Sequence, residues 1–148
     1  MRLTSNSTNQ NTMKKIIITL LLATSFARAA TERETVAATI LAEARGEGEA
    51  GMYAVACVIQ KRAITRKLSA EKVCLQKMQF SCNNNGVQIS LLKTPQAEYA
   101  LRLADALDKL ELSFAGDANH YHTKNVSPKW AKGQKPVKTI GNHVFYKL

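Results

Sequence analysis

Cysteine is scarce in this chain, with three in 148 residues. An odd count argues against a disulfide scaffold, and the spacing matches no cysteine-rich zinc pattern. Long apolar runs are also missing. The apolar run near the N-terminus, Ile16 to Ala23, is interrupted by Thr19 and is far too short to span a bilayer. There is no internal repeat, and no low-complexity linker beyond the first dozen residues. A single domain of modest core is therefore expected. The first 29 residues contain no acidic side chain.

That last absence accompanies a recognisable layout. Met13-Lys14-Lys15 is a short basic region, Ile16 to Ala23 is apolar, and Ala27-Arg28-Ala29 has the small-x-small form of a cleavage site. Residues 1–29 read as a secretory signal peptide, with residues 1–12 as polar extra residues ahead of a second methionine. The mature domain is expected over residues 30–148, exported to the periplasm or secreted. No cysteine closely follows the apolar run, so lipid anchoring and stable membrane insertion are not indicated. Without the first 29 residues, 17 basic residues face 11 acidic ones, a balance of +6. Such a surface suits an anionic polymer. Export and scattered lysines argue against nucleic acid. A monomer is the default expectation.

The remaining chain reads as a helix-rich α+β domain with a small antiparallel β lobe near the C-terminus. A first helix is predicted from Glu32 to Arg45, capped by Thr31. A second runs from Ala50 to Thr65 and is apolar nearly all round, the mark of a central buried helix. Gln60, Lys61, Arg62, Arg66 and Lys67 read as its wet end. Ser69 is a good cap for a short helical turn. Thr94-Pro95 opens another amphipathic helix that lasts to about Leu110. Ala118 to His122 and Val144 to Lys147 are aromatic-rich and β-like. The stretch from Lys124 to Asn142 reads as a long loop carrying Trp130, the only tryptophan. Cys57 reads as a buried thiol, and Cys74 with Cys82 as a loop-closing bridge.

Chemistry points first to Glu43. Val36, Ile40 and Glu43 fall at i, i+4 and i+7, on one face of the first helix. Glu43 thus projects from the core-facing stripe where Gly46 and Gly48 break the helix. A carboxyl against apolar surface at the lip of a cleft can stay protonated near neutral pH. Glycoside-cleaving enzymes use such a group to protonate the leaving oxygen. A solvated glutamate pairing with Arg45 is the plainer alternative. Aromatic faces suit sugar rings, so Phe80, Tyr121 and Trp130 are candidate cleft walls, with Ser81 and His122 as polar contacts. Each of these aromatics could equally fill a core.

Four blocks in order resemble the SleB/CwlJ-type cell-wall hydrolase family. They are Leu41-Ala42-Glu43-Ala44-Arg45-Gly46-Glu47 with Ala54-Val55-Ala56, then Gln79-Phe80-Ser81, then His120-Tyr121-His122 with Ser127-Pro128-Lys129-Trp130, and Ile140-Gly141-Asn142-His143-Val144-Phe145-Tyr146. The His-Tyr-His form is similar to the branch of Gram-negative bacteria and their phages. The resemblance implies a lysozyme-like catalytic domain acting on peptidoglycan glycan strands, with Glu43 as the catalytic glutamate and no cofactor. A lytic transglycosylase needs a single carboxyl, in keeping with the lack of a clear second one. Glu47 is the candidate if the enzyme hydrolyses instead.

Two other classes compete. His120 and His122 alternate along a presumed strand, and His143 could approach them across the β pair. Three histidines around an open position would suit a zinc-dependent peptidoglycan amidase or peptidase. A wall-binding module without catalysis would use the basic surface alone and leave Glu43 as a helix-end ion pair.

Overall fold

The computed structural model describes residues 32–148. The expected signal peptide and the Thr31 cap lie outside the described residues. Helix α1 spans residues 32–44, and a 3-10 turn, Arg45–Glu47, links it to α2, Gly48–Arg66. The glycines thus interrupt the helix for one tight turn only. Gly48 turns the chain with a φ of +70°, a conformation that suits a residue without a Cβ. Two shorter helices follow, α3 at Ala70–Leu75 and α4 at Ala97–Asp105. Ser69 caps α3 as its position implies, its Oγ accepting from the Lys72 N–H at 3.2 Å.

Helix α4 departs from expectation at both ends. The Thr94 hydroxyl donates to the Leu91 carbonyl at 2.7 Å and closes the preceding 3-10 turn, Ile89–Lys93. No side chain caps the helix, and α4 begins at Ala97. The helix ends at Asp105, where the chain tightens into another 3-10 turn, Leu107–Lys109.

The C-terminal lobe is a three-stranded antiparallel sheet. Its strands are β1 (His120–Thr123), β2 (Lys138–Ile140) and β3 (His143–Tyr146), in spatial order β1-β3-β2. Strand β2 lies inside the stretch expected to be loop. Its residues are largely exposed, so no buried alternation marks it. Lys138 on this outer strand discourages pairing with another chain.

Helix α2 holds the two layers together. Met52, Val55, Ala56 and Ile59 pack with Val36, Ile40 and Leu41 of α1, Val73 of α3 and Ala100 and Leu103 of α4. Ala54, Cys57 and Val58 pack with Ala115, Ala118 and Phe145. This explains why the helix is apolar all round: helices cover one side and the sheet lobe the other. Phe145, wholly buried, anchors the sheet to α2. Glu47 adds a polar tie. Its Oε2 accepts from the Asn142 N–H at 2.7 Å, at the turn between β2 and β3. A Cβ on Gly141 would collide with that carboxylate, and one on Gly51 with the Glu47 stem. Both glycines are small because Glu47 passes between them.

The cysteines correct one expectation and meet another. Cys74 and Cys82 are free thiols, not a bridge. The loop is closed by Asn83 instead, whose amide donates to the Thr39 hydroxyl at 2.9 Å and to the Cys74 carbonyl at 3.0 Å. Cys57 is buried as expected, and burial pushes its thiol up to about 12.

The lysines are also less scattered than expected. All six charged residues from Ala118 to the C-terminus are lysines. From residue 30 to Asp117, 11 acidic residues balance 11 basic ones. The +6 of residues 30–148 therefore resides entirely on the β lobe.

Candidate active site

Glu43 stands on the last turn of α1, part-buried, at the wall of a cleft of about 510 Å³. The cleft lies between the end of α1, the 79–82 segment and β1. Tyr121 and His122 of β1, Ser81, Cys82 and Arg62 share its lining. Glu43 is the one carboxylate on this wall among the described residues.

Tyr121 reaches Glu43 directly. Its hydroxyl donates to Glu43 Oε2 at 2.7 Å. Burial, then the Glu43 charge and this hydrogen bond, hold the phenol well above its ordinary range. Tyr121 therefore remains a donor throughout the physiological pH range. The Cys82 thiol lies beside the same carboxyl and is also pushed up, first by burial and then by Glu43. Behind Tyr121, His143 packs edge-on at a centroid distance of 5.0 Å. His143 is 3% exposed and its Nδ1 has no hydrogen-bond partner. Burial lowers its pKa against the opposing pull of Glu47 and Glu43.

Arg62 is the unexpected member. It is 5% exposed, not part of a wet end. Its Nε donates to the Asn119 carbonyl at 2.7 Å, its guanidinium lies 5.1 Å from the Phe80 ring centroid, and its Nη1 is buried without a partner. It makes no salt bridge among the described residues, yet its charge acts on Tyr121 and Glu43. Spacing could have found it: Arg62 stands three residues after Ile59 and seven after Val55, on the buried stripe.

The other expected contacts divide. Ser81 and His122 border the cleft with Tyr121 and Glu43. Phe80 does not. It is 1% exposed within the helical core and supports Arg62 from below. Trp130 lies on the other face of the sheet, its ring 5.2 Å from His120, 5.7 Å from His122 and 5.3 Å from Tyr146. The three histidines do not converge either. Thr123 pairs with His143 and His122 with Val144. Cross-strand partners share a face, so His143 lies with Tyr121 while His120 and His122 point the opposite way. A three-histidine zinc centre is incompatible with that register.

Glu47 is directed away from the cleft by its bond to Asn142. What remains is one carboxyl fixed by a phenol, with a buried cation nearby and no second acid on the wall.

Residues 46–146 match the model of the cell wall hydrolase family. The chain belongs to the cell wall hydrolase family. Glu43 lies just ahead of the matched segment, and Tyr121, His122 and Arg62 lie within it. The fold is similar to that of the SleB catalytic domain from Bacillus cereus, with 25% identity and a TM-score of 0.62, covering 78% of this chain and 89% of that one. It is likewise similar to the catalytic domain of the germination-specific lytic transglycosylase SleB from Bacillus anthracis, with 24% identity and a TM-score of 0.63, covering 78% and 93%. No curated protein matches the chain closely. As in those domains, this cell wall hydrolase is helix-rich with a small sheet near its C-terminus.

Proposed function

We propose that the protein is a lytic transglycosylase that cleaves the bond between N-acetylmuramic acid and N-acetylglucosamine in peptidoglycan. The observation that carries this reading is that Glu43 is the one carboxylate on the cleft wall while Glu47 is committed to Asn142. Hydrolysis by two carboxyls needs a second group across the scissile bond. Membership of the cell wall hydrolase family and likeness to SleB support the substrate class.

The chemistry then uses Glu43 twice. Protonated Glu43 gives its proton to the glycosidic oxygen, and the bond from that oxygen to the muramyl anomeric carbon breaks. The carboxylate left behind takes the proton of the muramyl 6-hydroxyl. The 6-oxygen attacks the anomeric carbon of its own sugar and closes a 1,6-anhydro ring. Proximity within one sugar replaces an external nucleophile. Tyr121 occupies Oε2, so Oε1 carries the transferable proton. Arg62 stabilises the carboxylate between the two steps. Ser81 is a polar contact for the acetamido and hydroxyl groups; the His122 imidazole, engaged at both nitrogens by Thr123 and Tyr146, is not. The enzyme works as an exported monomer, periplasmic or secreted, and needs no cofactor.

Digestion of purified sacculi followed by mass spectrometry tests the reading. Soluble muropeptides should end in anhydro-muramic acid, about 18 Da lighter than hydrolysed ones, and Glu43→Gln should release none. Free stem peptides with intact glycan, or lysis undiminished in Glu43→Gln, would contradict it.

A further inference from the structure

A second cavity, of about 400 Å³, opens on the outer face of the sheet. His122, Ser127, Pro128, Lys129, Lys132 and Tyr146 line it. Its floor is organised. The His122 and Tyr146 rings stack at 5.3 Å, and Trp130, outside the lining, braces Tyr146 edge-on at 5.3 Å. The His122 Nδ1 lies 2.8 Å from the Thr123 carbonyl, which can only accept, so Nδ1 carries the proton. In the neutral ring, Nε2 then accepts from the Tyr146 hydroxyl at 3.0 Å. The imidazole is held at both nitrogens and cannot swing.

Two observations direct this cavity toward one ligand. First, it adjoins the Glu43 cleft across β1. His122 borders both cavities, while the neighbours Val126 and Ser127 border one each. Strand β1 is at the sheet edge, so a polymer leaving the cleft can pass around it onto the outer face. Second, the charge is unbalanced. Lys129 and Lys132 are exposed and make no salt bridge among the described residues, on a lobe with six lysines and no acid.

We infer that this cavity is a binding site for the carboxylates of the peptide stems carried by the muramyl residues of a glycan strand held in the Glu43 cleft. The inference rests on the proposed peptidoglycan activity. Lys129 and Lys132 bind the anionic stem, and Pro128, Ala131 and the Tyr146 ring form an apolar wall for its aliphatic parts. The site then makes the enzyme prefer peptide-bearing strands to naked glycan.

The test is sedimentation of the Glu43→Gln protein with three probes. These are intact sacculi, glycan stripped of its stem peptides by an amidase, and vesicles of phosphatidylglycerol and phosphatidylethanolamine. Adding Lys129→Gln and Lys132→Gln should weaken binding to intact sacculi about tenfold, the scale of two exposed charge contacts. Lys129→Arg with Lys132→Arg should restore it. Both proteins should bind stripped glycan equally and weakly. Undiminished binding of the glutamine variant to intact sacculi would overturn the inference, as would equally tight binding to stripped glycan. Lysine-dependent binding to vesicles as tight as to sacculi would overturn it in favour of a membrane surface. These readouts involve no turnover. If the parent protein cleaves sacculi but the lysine variants bind them normally, only this inference fails. If the parent protein does not cleave them, the proposed function fails first.

Discussion

The helical layer and the β lobe are built on different terms. The helical layer is charge-balanced, and its core residues converge on α2. The β lobe has a thin core anchored by Phe145, carries six lysines without an acid, and presents aromatic rings on both faces. The proposed reactive carboxyl comes from the first, and the phenol that orients it from the second. The lesson is that the site exists only while the two layers are docked. Three contacts hold that docking near the cleft: Phe145 against α2, Glu47 on the β2–β3 turn, and Tyr121 on Glu43.

Substitutions should separate the contributions of the two layers. Glu43→Gln should lower glycan cleavage about a thousandfold, within the range for loss of a positioned acid, and leave the melting temperature nearly unchanged. Phe145→Ala should destabilise the fold by about 3–5 kcal/mol, seen as a large drop in denaturation midpoint with activity lost in parallel. Tyr121→Phe keeps the ring but removes the donor to Oε2. It should cost about 1 kcal/mol of stability and lower cleavage about tenfold. Undiminished cleavage by the folded variant would mean that Tyr121 only packs. Glu47→Ala should loosen the β2–β3 turn by about 1–2 kcal/mol, measured by denaturation, while the purified folded enzyme keeps its anhydro product.

The smallest effect concerns pH. Burial lowers the His143 pKa, so the unfolded chain binds more protons than the native one as pH falls below about 6.5. Stability should therefore decline from about that pH downward, until the lowered native value is passed. His143→Phe should flatten that part of the stability curve. A curve of unchanged slope would remove His143 as the titrating group.

Much of this architecture was legible from periodicity. The all-round apolar pattern of α2 indicates a helix covered on every side, and apolar packing on both of its faces is what such a pattern requires. The position of Glu43 on the cleft wall was legible because an acid on a core stripe breaks the pattern. Arg62 breaks the same pattern but follows Gln60 and Lys61, and a run of polar residues masks the one that points inward. Strand β2 leaves little trace because short, exposed strands bury nothing on alternate residues. Phe80 and Trp130 could not be placed from sequence, since an aromatic in a polar segment can be a core plug or a sugar platform. The zinc alternative depended on strand register, and a single-residue slip reverses every side chain.

The most direct test of the central claim is digestion of sacculi in water enriched in heavy oxygen, with mass spectrometry of the new muramyl ends. Closure by the sugar's own 6-hydroxyl incorporates no solvent oxygen, so the account predicts unlabelled anhydro ends that disappear with Glu43→Gln. Labelled reducing ends would show that water is the nucleophile, and that a second group beyond Glu43 must activate it.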